Sequence, residues 1–216
     1  MTHPQPTSPP QPAPAPVGFD LDMTLIDSRG AIMASFARVA TDTGVPIDPA
    51  AVDRRLGIKL ERELAYWFPP DALDEAVRIY RAHYRELAVP LTRLLPGARE
   101  SLAVVQSAGA RAVVITAKHV LPARQSMDAL RLFPDALFPD AHGPEKAEVL
   151  KEIGAGVYVG DTPADMAAAV AAGAYPLGVA TGSFSPADLT AAGAAAVLPD
   201  LTGFPAFYSE LTAKRG

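Results

Sequence analysis

Two aspartates one residue apart, Asp20 and Asp22, close the short apolar run Val17-Gly18-Phe19. Thr116 ends a second run, Ala112-Val113-Val114-Ile115, and Asp161 follows a third, Val157-Tyr158-Val159-Gly160, with Asp165 shortly after it. Ligands of open α/β sheets bind outside the carboxyl ends of the strands, where all of these residues would stand. Strand alternation predicts that Asp20 and Asp22 point to the same side. Neighbouring carboxylates raise one another's pKa unless a proton or a cation separates them. The economical resolution is a hard cation with oxygen ligands, Mg²⁺, which keeps waters and pairs with a phosphate. The chemistry this permits is hydrolytic phosphoryl transfer. One aspartate attacks phosphorus to give an aspartyl-phosphate, and the other protonates the leaving alcohol and then activates water. The cation and a lysine neutralise the phosphoryl oxygens. Lys146, which opens a helical stretch ahead of the Asp161 strand, is the leading lysine; Lys118, two residues past Thr116, is the second.

The elements that must position these groups can be read from the pattern. From Ala98 onward, apolar runs alternate with helical stretches: 98–108, 122–132, 145–153, 163–172 and 186–192. Further strands are expected at 176–179 and 195–198. Continuous apolar runs suit strands buried on both faces, and the alternation implies βαβ units in a doubly wound parallel sheet. Pro163 and Gly173 stand where a helix tolerates a proline and where it stops. Thr162-Pro163-Ala164-Asp165 has the spacing of a capping box. Between the first strand and this region, residues 28–95 show helical patterns at 32–43, 60–67 and 73–87 and no convincing strand. An insertion of that length is a subdomain rather than a loop, and it would sit over the rim that carries Asp20. The expected organisation is a tail at 1–16, a core at 17–27 and 96–216, and a helical cap at 28–95.

Composition narrows the partners. The chain has 216 residues, 19 Lys+Arg against 24 Asp+Glu, four histidines and no cysteine. A net charge of −5 gives no broad basic surface, so nucleic acid and anionic membrane are not expected partners. Without cysteine there is no thiol catalysis, disulfide scaffold or thiolate-ligated zinc. No apolar run approaches the ~20 residues of a membrane-spanning helix, and a cytoplasmic location is expected. Residues 1–16 include seven prolines and no Lys or Arg, which reads as a disordered tail rather than a secretory leader.

At the catalytic residues the sequence resembles a known family. Phe19-Asp20-Leu21-Asp22-Met23-Thr24 is similar to the DxDxT opening of the haloacid dehalogenase superfamily. Ile115-Thr116 resembles its second motif, Lys146 its third, and Gly160-Asp161-Thr162-Pro163-Ala164-Asp165 its fourth, GDxxxD. The 157–198 region resembles the phosphoglycolate-phosphatase-like branch. The resemblance implies a Rossmann-like core with a helical cap, Asp20 as nucleophile and Asp22 as general acid and base. It further implies phosphoryl binding by Thr116 and Lys146; Ala117 and Lys118, next to Thr116 in the chain, are expected among the substrate-binding residues. Mg²⁺ would be held by the Asp20 carboxylate, the Asp22 backbone carbonyl and Asp161, with Asp165 in support. The family usually has Gly where Met23 stands and often Asn where Ala117 stands, and the usual Lys-Pro context is absent around Lys146.

The substrate implied is a small phosphorylated metabolite, and either a monomer or a dimer is compatible with the sequence. A metal-free dehalogenase of this fold lacks the second acid, so Asp22 argues against it. A phosphomutase shares the motifs and differs in its cap. A two-component receiver shares the acid cluster, Thr and Lys, yet needs no helical insertion. Within the insertion, Arg54, Arg55, Lys59 and Arg62 surround Leu56-Gly57-Ile58. A cationic loop there, with Lys59 and Arg62 binding substrate, would suit a carboxylate-bearing leaving group such as that of phosphoglycolate.

Overall fold

The computed structural model describes residues 14–213; residues 1–13, which make up most of the proline-rich tail, and 214–216 lie outside the described residues. Strand β1 (Val17–Phe19) leads through a short turn to β2 (Ile26–Asp27). Helices α1 (Arg29–Thr43), α2 (Pro49–Arg54), α3 (Leu60–Leu64) and α4 (Pro70–Leu91) follow, and β3 (Arg93–Leu94) closes the excursion. β3 pairs antiparallel with β2, Ile26 opposite Leu94, so the chain leaves and re-enters the core through one two-stranded ribbon. The remainder alternates: α5 (Ala98–Ser107), β4 (Ala112–Ile115), α6 (Val120–Ala129), β5 (Ala136–Phe138), α7 (Pro144–Glu152), β6 (Val157–Gly160), α8 (Pro163–Ala172), β7 (Tyr175–Val179), α9 (Pro186–Ala191), β8 (Ala196–Leu198) and α10 (Phe204–Ala213).

Six strands form one parallel sheet in the order β5-β4-β1-β6-β7-β8. The fold is the doubly wound α/β class. Strand alternation is visible in its two cores: Ala112 and Val114 face one apolar layer with Phe19 and Phe204, while Val113 and Ile115 face the other with Leu150 and Tyr158. Strand order reverses at β1, between β4 and β6, and Phe19 is in register with Val114 on one side and Val159 on the other. Asp20, Thr116 and Asp161 therefore leave three adjacent strands at one central crevice.

The helical insertion has its own apolar cluster, built on Phe36, Val39, Leu64, Tyr80 and Tyr84. Ala76, Tyr80, Tyr84 and Ala88 recur every fourth residue of α4, which puts them on one buried stripe facing α1. Two features depart from the sequence pattern. Strand β5 lies half-buried at the sheet edge, and its apolar run of three residues, bounded by Asp135 and Pro139, is too short to stand out as a strand. The ribbon strands are two residues each, too short for any period, and β3 falls inside the segment that reads as strand-free. No helix among the described residues is long and apolar enough to cross a membrane.

Candidate active site

Asp20 is the first residue beyond β1, and its backbone N–H still donates to Val159 at 2.8 Å, which fixes the carboxylate at the crevice. Its side chain is 4% exposed. Oδ1 accepts the Leu21 N–H at 2.8 Å and pairs with Lys146 Nζ at 2.9 Å. Oδ2 has no hydrogen-bond partner among the described residues. Burial pushes the Asp20 pKa up to about 7: Lys146 opposes the rise, and the charges of Asp165 and Asp22 add to it.

Lys146 stands in the first turn of α7 and is 2% exposed, an unusual fate for a lysine. Its ammonium bridges Asp20 and Asp165, the latter at 2.7 Å. Burial works against its charge, but Asp165 and Asp20 outweigh that and raise its pKa. Asp165 is held by the capping box that starts α8: Thr162 N–H and Oγ donate to its Oδ2 at 3.1 and 2.7 Å. Lys146 and Tyr158 take its Oδ1. Asp165 is thus saturated by protein donors and serves to orient. Asp161 is less so, accepting only Thr24 Oγ at 3.0 Å through Oδ1, and burial together with Asp165 and Asp20 pushes its pKa well above the usual range. Gly182 is the residue the Asp161 carboxylate leaves room for, since a Cβ there would collide with Oδ2.

Carboxylate oxygens of Asp20, Asp161 and Asp165 lie within 4.8 Å of one another. Three buried carboxylates against the single ammonium of Lys146 leave two negative charges, which one divalent cation would balance. The donor set is all oxygen, as a hard cation requires. The residues present fit such an ion.

Asp22 does not share this cluster. β1 ends at Phe19, so strand alternation no longer applies, and the chain turns sharply at Met23, whose φ is 60°. That left-handed value favours glycine and is rare for a side-chain-bearing residue. Asp22 points instead to Ser28 Oγ at 2.5 Å and Lys118 Nζ at 2.6 Å, both on Oδ1. Lys118 also donates to the Tyr84 hydroxyl at 2.7 Å, which ties α4 to the core beside Asp22. Burial opposes the Lys118 charge, and Asp22 and Tyr84 raise its pKa nonetheless. Thr116 is buried at the end of β4; its Oγ accepts the Lys118 N–H at 3.2 Å and keeps its own proton to donate.

Asp22, Ala117 and Lys118 border a cavity of about 610 Å³ between the insertion and the core. Lys59 and Arg62 are not among its walls. Lys59 reaches across to Glu145 on α7 at 2.8 Å, and Arg62 is exposed on α3. Arg55, in the same loop, forks onto Glu63 at 2.7 and 2.6 Å, so two of the loop's four cations are held by acids, while Arg54 is exposed like Arg62. Several functional contacts carry no sequence signal of their own. Nothing in the sequence marks Tyr158 as a partner of Asp165, Tyr84 as a partner of Lys118, or His142 as a partner of the Gly57 carbonyl, 3.0 Å from its ring nitrogen. Thr24 alone was signalled, as the last residue of DxDxT.

Comparison with known proteins agrees with this corner of the fold. A family model described as haloacid dehalogenase-like hydrolase matches residues 17–169, and one described as HAD-hydrolase-like matches 145–204. A probable phosphatase, IndB, of Dickeya dadantii is 31% identical over 81% of this chain and 84% of its own. A phosphoglycolate phosphatase of Rhodospirillum rubrum is 30% identical over 89% of this chain and 92% of its own. Among solved structures, a haloacid dehalogenase-like hydrolase from Streptococcus pneumoniae superposes with a TM-score of 0.78 at 24% identity, covering 90% of this chain and 98% of that one. The matched span includes every residue from Asp20 to Asp165, and the chain is a hydrolase of the haloacid dehalogenase-like family.

Proposed function

We propose that this chain is a Mg²⁺-dependent phosphatase that hydrolyses a phosphate monoester of a small metabolite through an aspartyl-phosphate on Asp20. The observation that carries the reading is the Asp20 carboxylate itself. One oxygen is held by Lys146 and the Leu21 N–H, the other is unengaged, and the second acid, Asp22, stands nearby on a different set of partners. Asp20 and Asp161 would hold the cation, with Asp165 orienting Lys146. When bound, the ion supplies charge neutralisation for the phosphoryl oxygens and for the carboxylates.

The chain's own residues do the rest. Asp20 Oδ2 attacks phosphorus as the bond to the ester oxygen breaks, and Asp22 gives that oxygen its proton. Asp22 then takes a proton from water, whose oxygen attacks phosphorus and releases Asp20 and inorganic phosphate. Lys146 and the Thr116 hydroxyl bind the phosphoryl oxygens throughout. Lys118, fixed to Asp22, serves the leaving-group side. Phosphate release from a panel of monoesters, with and without Mg²⁺, tests the activity. A stoichiometric acid-stable mass shift is not expected on Asp20→Asn, whereas native protein quenched during turnover should carry one phosphoryl group. Substantial turnover by Asp20→Asn, with deamidation excluded, overturns the covalent mechanism.

A further inference from the structure

We propose that the phosphate ester accepted here has a bulky, uncharged and largely apolar alcohol, of arylalkyl size, and that carboxylate-bearing esters such as phosphoglycolate are poor substrates. This rests on the phosphatase reading and adds the leaving group to it. The cavity of about 610 Å³ opens on Asp22, the acid that meets the leaving oxygen, and not on Asp20 or Lys146. It therefore lies on the leaving-group side of the phosphorus. Its size is that of sites for ligands of one or two rings, which bury most of their surface in pockets of about 300–1,000 Å³. The two carbons of glycolate would leave most of it wet.

The walls are chiefly apolar: Ile32, Phe36, Val52, Ile58, Tyr80 and Tyr84. Tyr80 and Tyr84 are stacked, with ring centres 5.9 Å apart, and Phe36 packs on Tyr80 at 4.8 Å. Most cations at the cavity are already paired. Arg55 is on Glu63, Arg81 on Glu61 at 2.7 Å and Lys118 on Asp22 at 2.6 Å; Arg85 alone of the lining arginines and lysines has no ion pair among the described residues, and it is exposed. A substrate carboxylate buried among the apolar walls, away from Arg85, would be desolvated without a cation to meet it, which is strongly unfavourable. An apolar group entering it gains the ordinary hydrophobic transfer.

The test compares 2-phenylethyl phosphate, ethyl phosphate and phosphoglycolate with the full chain and Mg²⁺. All three are primary alkyl esters with leaving groups of similar basicity, so their kcat/KM ratios read binding rather than intrinsic reactivity. The phenylethyl ester should exceed each of the others by about tenfold or more. Phosphoglycolate equalling or exceeding it overturns the inference and leaves the phosphatase reading standing. Phosphate release from none of these, p-nitrophenyl phosphate included, overturns both. Ile58→Trp, in the wall, and Leu121→Trp, at a position 71% exposed on the cavity's border, should each lower the phenylethyl-to-ethyl ratio. An unchanged ratio in folded variants of both also overturns the inference.

Discussion

Removing divalent cations should make the stability of this protein fall as pH rises. In the fold, Asp20 titrates at about 7 against an ordinary value of 3.8, so the folded state binds that proton more tightly than the unfolded chain does. Stability rises with pH only where the unfolded state holds more protons; here the folded state does. The contribution of the Asp20 proton is complete below about pH 4 and is lost progressively as pH climbs through about 7. Three pK units at about 1.4 kcal/mol each put the loss near 4 kcal/mol. Asp161 is shifted in the same direction and adds to it, while Lys146, raised from an already high value, stays charged across the range and adds no slope. For a chain of this size about 4 kcal/mol corresponds to a fall of roughly 10 °C in Tm.

The assay is thermal unfolding across that pH range in chelator and in saturating Mg²⁺. A bound cation needs ionised carboxylates and takes the proton's place, so the Mg²⁺ curve should be flat where the chelator curve descends, and the two should converge at the acid end. Asp20→Asn should make the chelator curve shallower by removing one of the two titrating carboxyls. Coincident curves in chelator and Mg²⁺, or a descent that persists unchanged in Asp20→Asn, would refute the charge argument for the cation site.

Three further outcomes follow from the same contacts. Asp22→Asn should retain the ability to form phosphoenzyme on an activated ester but not to hydrolyse it, visible as a trapped mass increase in quenched samples; steady turnover would show that Asp22 is not the base. Lys146→Met removes the ammonium bridging Asp20 and Asp165 and should cost about 3–5 kcal/mol, or roughly 10 °C in Tm in chelator; a change within a degree or two would mean the carboxylates are not charged there. Met23→Gly relieves a φ of 60°, worth about 1 kcal/mol, but deletes a side chain that is 4% exposed, worth about 2–5 kcal/mol. The variant should therefore melt lower than the native chain, and an equal or higher Tm would show that the turn strain dominates.

The parts of this fold legible in the sequence are those set by local physics. Ala112 to Ile115 and Val157 to Gly160 are buried on both faces and so read as continuous apolar runs, which places Thr116 and Asp161 at strand ends. Helix α8 is bracketed by Pro163 and Gly173, and its capping box fixes Asp165 from within four residues. What was not legible is set at long range or by departure from regularity. The expectation that Asp20 and Asp22 share a side assumed a strand that in fact ends at Phe19. Thr24 meets Asp161, and Tyr84 meets Lys118, across separations that no periodicity encodes. The basic loop around Gly57 shows its charges in the sequence without their partners; the fold supplies Glu63 to Arg55 and Glu145 to Lys59 and leaves Arg54 and Arg62 exposed.

That distribution of partners makes the two sides of the reaction centre chemically unlike. Each of the two candidate catalytic aspartates has its own lysine, brought by a different element: Lys146 from α7 for Asp20, and Lys118 from the segment after β4 for Asp22. On the Asp20 side, Asp161 and Asp165 add charge that Lys146 cannot match, so that side is incomplete until a cation arrives. On the Asp22 side, one carboxylate faces one ammonium, and the surrounding ion pairs of the insertion are closed among themselves. With a divalent cation in place the first side is neutral overall and presents that cation and Lys146 to phosphoryl oxygens. On the second side Arg85, which is exposed, is the one lining arginine or lysine without an ion pair among the described residues. The end of the strand at Phe19 releases Asp22 from the alternation that would have put both carboxylates on one side, where they would crowd one buried cluster and raise its repulsion further. On the proposed reading, phosphoryl recognition is confined to the carboxyl rim of the central strands, and discrimination among alcohols falls to the apolar walls contributed by α1, α2 and α4.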